Sequence, residues 1–159
     1  MASRLTGKKT PRLEIRVSFA GERRALSVPT VRRAVTTVLD GQETGAGAGA
    51  ASVTVTFMSS HRMRALNRRM FGRDYATDVI AFSLPHAGRL IGDVYVCPSH
   101  ARRAARRFDV TPREELLRLV VHGVLHVLGY KHPDDGTRTQ SPMWELQERY
   151  VRALTGEST

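Results

Sequence analysis

The sequence has little cysteine, a shortage of acidic residues and no long apolar run. Its one cysteine, Cys97, excludes an internal disulfide and is typical of a reducing compartment. No apolar stretch approaches the roughly 20 residues that a membrane-spanning helix needs, and the N-terminus lacks the apolar core of a signal peptide. We therefore expect a cytoplasmic protein without a membrane segment.

The shortage of acidic residues leaves a strongly basic chain. Lys and Arg number 25 against 15 Asp and Glu, which gives a formal net charge of +10. Arginine predominates, and its planar guanidinium donates paired hydrogen bonds to phosphate. A GC-rich genome would explain the ratio of Arg to Lys, but not the surplus of positive charge. The composition thus predicts a polyanionic partner such as nucleic acid.

The length and the apolar content predict one domain. The chain has 159 residues, of which 41% are hydrophobic, enough to bury a sizeable core. Residues 1–12 are basic and unpatterned, so we predict a flexible tail there and a single domain over 13–159. The glycine-rich stretch 41–50 lacks a phosphate-binding signature and is interpreted as a linker.

Apolar periodicity predicts the elements of this domain. Alternation at residues 13–19, 53–57 and 92–97, together with a short apolar run at 79–82, predicts four strands. Helical spacing predicts about five helices. The first is capped by Thr30, and the second is capped by Ser59 or Ser60 with Met63, Leu66 and Met70 facing inward. The third runs from Pro98 to Phe108. The fourth runs from the Thr111–Glu114 capping box to Leu128, and the fifth begins at Ser141. We predict an α+β fold in which a mixed four-stranded sheet packs against these helices.

Two histidines in the most apolar helix have the spacing of metal ligands. His122 and His126 are four residues apart, so they share one helix face about 6 Å apart. Gly129 is placed to end the helix, which lets the chain turn back and bring His132 to the same ion. Three neutral histidines leave a fourth position open for water, as in a catalytic zinc site. Incidental helix histidines are common, and imidazole also binds other transition metals.

The residue after His122 bears on the reaction. A metalloprotease helix carries a glutamate there, whereas this chain has Gly123. Phosphodiester cleavage depends more on charge stabilisation than on a strong base, because RNA can supply its own 2′-hydroxyl. The sequence therefore favours RNA cleavage over peptide cleavage.

The segment His122-Gly-Val-Leu-His126-Val-Leu-Gly129-Tyr-Lys-His132 resembles the signature H-G-x-L-H-L-x-G-Y-D-H of the YbeY family. The segments around Leu66-Asn67 to Asp74, Thr77 to Ser83 and Ile91 to Cys97 also resemble this family, in the same order. The resemblance implies a zincin-like metal helix and one zinc ion. It also implies a zinc-dependent, single-strand-directed endoribonuclease of ribosomal RNA maturation and ribosome quality control, with ribosomal RNA and the ribosome or ribosomal proteins as partners. In addition, Thr77 and Asp78 would help to shape the site.

The chain departs from the family pattern at two positions. Lys131 replaces the usual aspartate, and Phe71 occupies a position where the family commonly has arginine. Arg69 or Arg73 is a candidate to supply the missing guanidinium, and Lys131 is a candidate phosphate contact. The general base remains unassigned. Possible helpers are Glu145, Glu148, Asp134 and Asp135.

Two other functions remain open from the sequence alone. One is a metallopeptidase, which Gly123 disfavours. The other is a non-catalytic ribosome-binding protein with a structural metal. We expect His61, His86 and His100, which lack ligand spacing, to be ordinary surface or capping residues.

Overall fold

Four strands lie in the first two thirds of the chain, and only helices follow them, in a computed structural model that describes residues 13–23, 25–42, 50–84 and 86–156. The tail predicted for residues 1–12 and most of the glycine-rich linker, residues 43–49, lie outside these ranges. The described elements are β1 (Leu13–Ala20), α1 (Val28–Asp40), β2 (Ala51–Met58), α2 (Ser60–Phe71), β3 (Val79–Ser83), β4 (Leu90–Val96), α3 (Pro98–Phe108), α4 (Pro112–Val127), a short 3-10 helix (Arg138–Gln140) and α5 (Pro142–Thr155).

The four strands form one mixed sheet in the order β1-β2-β4-β3. Strands β1, β2 and β4 are parallel to one another, and β3 runs antiparallel to β4 at the edge of the sheet. The mixed four-stranded sheet and the α+β class predicted from the sequence are confirmed. Within the described residues β3 pairs with β4 alone, so its other edge is not paired with a strand.

Helices cover both faces of the sheet. On one face the alternating residues Val53, Val55 and Phe57 of β2 join the main core with α1, α4 and α5. On the other face Met63 and Leu66 of α2 pack with Ile80 in a smaller cluster. This division follows from the strands, because successive side chains point to opposite faces.

Helix α4 lies unusually close to β4. A Cβ atom added to Gly123 would come within 2.3 Å of Val94 Cγ1, and one added to Gly92 would come within 2.3 Å of Val127 Cγ1. Side chains at these two positions are therefore excluded by the packing. The close contact fixes the helix that carries His122 and His126 against the centre of the sheet.

Two local expectations are corrected by the structure. The N-cap of α1 is Ser27 rather than Thr30, because Pro29 lies in the first turn, where the missing N–H costs nothing. Met70 is 49% exposed, since it lies near the end of α2. Asn67 is buried there instead, with its amide donating to the carbonyl of Tyr75 at 2.8 Å.

The capping box of α4 is half confirmed. Thr111 Oγ1 accepts from the backbone N–H of Glu114 at 3.1 Å. The Glu114 carboxylate instead accepts from Arg118 Nη2 at 2.8 Å, because an arginine four residues along the helix offers a charged partner.

The longest helix, α4, has 16 residues. In the part of the chain that the structure describes, no helix combines the length and the apolar character needed to cross a bilayer.

Candidate metal centre

Helix α4 and the turn after it bring three histidines together. His122 and His126 lie one helical turn apart near the end of α4. Gly129 then adopts a φ of +94°, a left-handed conformation that glycine accepts readily. The N–H groups of Gly129 and Tyr130 bond back to the carbonyls of His126 and Leu125, which reverses the chain direction and places His132 beside the helix histidines.

The three side chains converge on one point. One ligand atom from each histidine lies within 4.8 Å of the other two. The Nε2 atoms of His122 and His126 are 2.9 Å apart. This cluster is the one group of potential ligands with such geometry among the described residues.

The far nitrogen of each ring is held by an oxygen acceptor. The Nδ1 of His126 is 2.9 Å from the carbonyl oxygen of Tyr130, and that of His132 is 2.9 Å from the carbonyl oxygen of Pro133. A carbonyl oxygen can only accept, so Nδ1 carries the proton in both rings. Their Nε2 atoms therefore present lone pairs, which is the form that binds a metal.

His122 has the same tautomer for a different reason. Its Nδ1 lies 2.7 Å from Gln147 Oε1. The amide nitrogen of Gln147 donates to Glu148 Oε1 at 3.1 Å, which identifies the oxygen as the atom facing the histidine. Glu148 is in turn held by Arg118, whose Nε donates to it at 2.7 Å.

Burial keeps the helix histidines neutral. Removal from water lowers the pKa of His122 to about 3, and the proximity of the titratable His126 and of the charged Arg138 acts in the same direction. Burial also lowers the pKa of His126. Both rings are then unprotonated at Nε2 at neutral pH, so no proton has to leave before a metal ion binds.

The donor set fits a divalent transition metal. Two nitrogens bound to zinc at about 2.0–2.1 Å in tetrahedral geometry are roughly 3.3 Å apart, so the 2.9 Å between the two Nε2 atoms needs to open by only a few tenths of an ångström. Three imidazoles also suit nickel, copper or iron. The residues present therefore fit a metal ion without identifying it.

An open groove of about 490 Å³ borders His126. It runs along β3 at the edge of the sheet, between the end of α2 and the turn after α4. Arg73 and Lys131 contribute positive charge to it, and Asp134 contributes one carboxylate. The remaining lining consists of Asn67, Phe71, Tyr75, Thr77, Val79, Ile80, Ala81, His126, Gly129 and Tyr130.

The structure separates the candidate cations. Arg73 and Lys131 line the groove beside His126. Arg69 instead lines a different depression, together with Arg64 and Asp74. In that depression the Arg64 guanidinium forms two bonds of 2.9 Å with Asp74 and thereby lowers the pKa of that carboxyl.

The candidate acidic helpers are also spread over different environments. Asp134 lines the groove, whereas Asp135 accepts from Thr137. Glu148 lies behind His122 in the network with Arg118, and Glu145 is exposed. Thr77 lines the groove and donates to Asp78, which also caps the N–H of Val79.

The structure adds Gln147, which the sequence analysis did not identify. Gln147 is only 1% exposed, and its side chain bonds to a histidine of the cluster. A signal was present, because residue 147 falls at helical spacing between Met143 and Val151 on the inward face of α5. A polar residue on such a face requires a buried partner.

The other histidines lie apart from the cluster. His61 is exposed, and His86 forms an isolated bridge with Arg89. His100 is partly buried, and burial lowers its pKa.

The helix packed on the sheet carries two histidines, and a third follows a glycine turn beside an open groove. This arrangement fits the class of metal-dependent hydrolases with three histidine ligands. Comparison with known families agrees, since residues 16–155 match the family model described as Endoribonuclease YbeY. The chain belongs to this family, whose members are nucleases that act in ribosomal RNA maturation. The sequence-based assignments of family and enzyme class are confirmed.

Individual relatives support this assignment. A protein of Thermotoga sp. strain RQ2 named Endoribonuclease YbeY is 38% identical over 109 residues, covering 69% of this chain and 71% of the relative. One of the same name from Chlorobium phaeovibrioides is 34% identical over 132 residues, covering 83% and 85%. A solution structure of a Thermotoga maritima protein matches with a TM-score of 0.63 and 29% identity, covering 90% of each chain.

Proposed function

We propose that this protein is a zinc-dependent endoribonuclease that cleaves single-stranded regions of ribosomal RNA in the cytoplasm, with His122, His126 and His132 as the ligands of one zinc ion. The observation that carries the proposal is the shared tautomer of the three rings. Each is held at Nδ1 by an oxygen acceptor, so the three Nε2 atoms face one another beside an open, basic groove.

The chemistry is divided between the metal and the groove. A divalent ion, when bound, acts as a Lewis acid and activates water. The chain orients the ligands through Gln147 and the carbonyls of Tyr130 and Pro133. Arg73 and Lys131 are placed to bind the phosphates of RNA and to stabilise the charge that develops on the phosphate oxygens.

The charge of the groove supports an anionic substrate. Two cations against one carboxylate line the cavity beside His126. The chain as a whole has a net charge of +10, which attracts a polyanion over distances comparable to the Debye length. The charge supports a polyanion in general, and membership of the family is the reason to extend the proposal to ribosomal RNA in the context of the ribosome and to a role in ribosome quality control.

A metallopeptidase is a weaker alternative. The open edge of β3 beside the histidines is a surface to which an extended peptide could add as a strand. However, a peptidase of the His-Glu type needs a carboxylate next to the first histidine, and Val94 leaves no room for any side chain at residue 123. A structural metal in a non-catalytic ribosome-binding protein is the other alternative.

Cleavage of labelled single-stranded RNA tests the proposal. We expect the wild-type protein to cut it and to leave a matched duplex largely intact. We expect both chelation and the substitution His126→Ala to abolish cleavage, and added zinc to restore the chelated sample. The substitution His61→Ala, which changes an exposed histidine outside the cluster, is the matched control. Full activity in the His126→Ala variant or in the chelated sample would contradict a catalytic metal, and digestion of casein would favour the peptidase.

A further inference from the structure

An exposed aromatic ring lies in the groove next to the histidines. Phe71, the last residue of α2, is 52% exposed although it is fully apolar. It lines the groove together with His126 and Lys131. Single exposed apolar side chains are common on protein surfaces, so what distinguishes Phe71 is its position in the groove beside His126.

The ring of Phe71 is supported from within the protein. It stacks on Phe82 with a distance of 6.0 Å between ring centres and an angle of 13° between the planes. The Phe82 ring meets Tyr95 edge-on at 6.1 Å. Phe82 and Tyr95 pack against the smaller apolar cluster, so the orientation of Phe71 is fixed while about half of its surface faces solvent.

Cationic and aromatic groups surround this ring. The guanidinium carbon of Arg73 lies 6.0 Å from the centre of the Phe71 ring, and Arg73 lines the same groove. Tyr75, 54% exposed, also lines it. Aromatic faces interleaved with positive charge are the combination that binds single-stranded nucleic acid, because bases stack on the rings while the cations contact phosphates.

We propose that Phe71 stacks against an unpaired base of the RNA bound in this groove, with Arg73 on an adjacent phosphate. The inference rests on the proposed function and adds a cause for single-strand specificity. A base in a duplex is already stacked on its neighbours, so only an unpaired base can turn its face to Phe71. The residue is therefore a positioning residue for the substrate.

A purely structural role makes a different prediction. If Phe71 only covers Phe82, then leucine, which is also apolar, would replace it without effect on RNA. If the aromatic face matters, tyrosine would replace phenylalanine and leucine would not. The pair Phe71→Leu and Phe71→Tyr therefore separates the two roles.

The experiment uses short single-stranded 2′-O-methyl RNA oligonucleotides that carry the fluorescent base 2-aminopurine at each position in turn. Stacking on an aromatic ring quenches this fluorophore. We expect quenching at one position with the wild-type protein and with Phe71→Tyr. With Phe71→Leu we expect that quenching to disappear and the affinity to fall by about tenfold, as is typical for the loss of one base–aromatic stack.

A matched control is available at the end of α3. Phe108 is 64% exposed, and the guanidinium carbon of Arg107 lies 5.6 Å from its ring centre, but it lines a separate pocket on the side of His122 and not this groove. We expect Phe108→Leu to bind as the wild type does. An equal loss of affinity in both leucine variants, or undiminished quenching in Phe71→Leu, would overturn the proposal.

The test also distinguishes failure of the stacking from failure of the nuclease function. Binding of the 2′-O-methyl probe requires no cleavage, so the quenching by the wild-type protein is measured independently of its nuclease activity. Quenching without any RNA cleavage by the wild type would support the stacking and refute the nuclease. Unchanged cleavage of single strands by Phe71→Leu, together with unchanged affinity, would refute the stacking alone.

Discussion

Gln147 Oε1 accepts a hydrogen bond from Nδ1 of His122 at 2.7 Å, so helix α5 sets the orientation of a ring that belongs to helix α4. Gln147 is itself fixed by its bond to Glu148, which Arg118 of α4 holds. The connection thus runs from α4 to α5 and back. The orientation of one candidate ligand, His122, is therefore set by residues that are not themselves candidate ligands.

The first prediction concerns this second helix. Replacement of Gln147 by leucine removes the acceptor for His122 Nδ1 and frees the ring to rotate or change tautomer. We expect a loss of zinc affinity of about 10- to 100-fold, as is typical of residues that orient metal ligands, measured by competition with a fluorescent chelator. Glu145→Leu, at an exposed position of the same helix, should bind zinc as the wild type does. Equal affinities for the wild type and the Gln147→Leu variant would show that the bond has no role in the site.

The sequence predicted the histidine cluster because its parts are local. Helical periodicity places His122 and His126 on one face, and Gly129 is a recognisable stop signal. Strand alternation and apolar helices likewise specified the α+β class. Each of these features depends on residues within a few positions of one another.

The features that sequence reasoning missed depend on distant residues. Gln147 reaches His122 across 25 positions, and the exposure of Met70 depends on where α2 leaves the sheet. The difference between Arg73 and Arg69 is also tertiary. Arg69 lies just before the end of α2 and Arg73 just after it, yet of the two only Arg73 lines the groove. No local pattern reports which way such side chains are turned.

The second prediction is that metal binding stabilises the fold. A ligand at 100 times its dissociation constant adds about 2.7 kcal/mol to the free energy of unfolding. For a chain of this length that corresponds to a rise in Tm of roughly 5–10 °C. We expect this shift when zinc is added to chelated protein in a thermal unfolding experiment. The His126→Ala variant should show little of it, and His61→Ala should show all of it. An equal shift in His126→Ala would place the stabilising ion elsewhere.

The third prediction concerns the close contact between α4 and β4. Gly123→Ala places a Cβ atom 2.3 Å from Val94 Cγ1, so helix and strand must move apart. We expect the free energy of unfolding to fall by about 1–3 kcal/mol, measured by urea denaturation. Gly136→Ala is the control, since a Cβ there meets nothing within 4 Å. A Gly123→Ala variant as stable as the wild type would mean that the contact relaxes freely.

The fourth prediction is a dependence of stability on pH that arises from Glu148. Burial alone would raise the pKa of this carboxyl, but the hydrogen bonds from Arg118 and Gln147 outweigh it, so the pKa is lowered. A carboxyl with a lowered pKa in the folded state stabilises the fold above its unfolded pKa of about 4.3. That contribution is lost as the pH falls from this value through the folded pKa.

Glu148→Gln tests this pH dependence. The variant should be less stable than the wild type at pH 7, by roughly 1.5–3 kcal/mol for a lost charged hydrogen bond. The difference should shrink as the pH falls below about 4.3, because protonation removes the same charge from the wild type. Glu145→Gln, with its exposed side chain, is the control and should follow the wild-type profile. A difference in stability that stays constant down to pH 3 would exclude titration of Glu148 as the cause.

The last prediction uses the position of the cations to separate substrate binding from general surface charge. Arg73 and Lys131 line the groove beside His126, whereas Arg69 lines a separate depression. If the groove binds the cleaved strand, Arg73→Gln and Lys131→Gln should each lower kcat/KM for single-stranded RNA by about 10- to 100-fold. Each should also reduce the slope of log affinity against log salt by about one phosphate contact. Arg69→Gln removes the same charge from the chain and serves as the control. Because Arg69 does not line the groove, we expect this substitution to alter both quantities less. Equal effects at all three positions would mean that the net charge, and not the groove, governs binding.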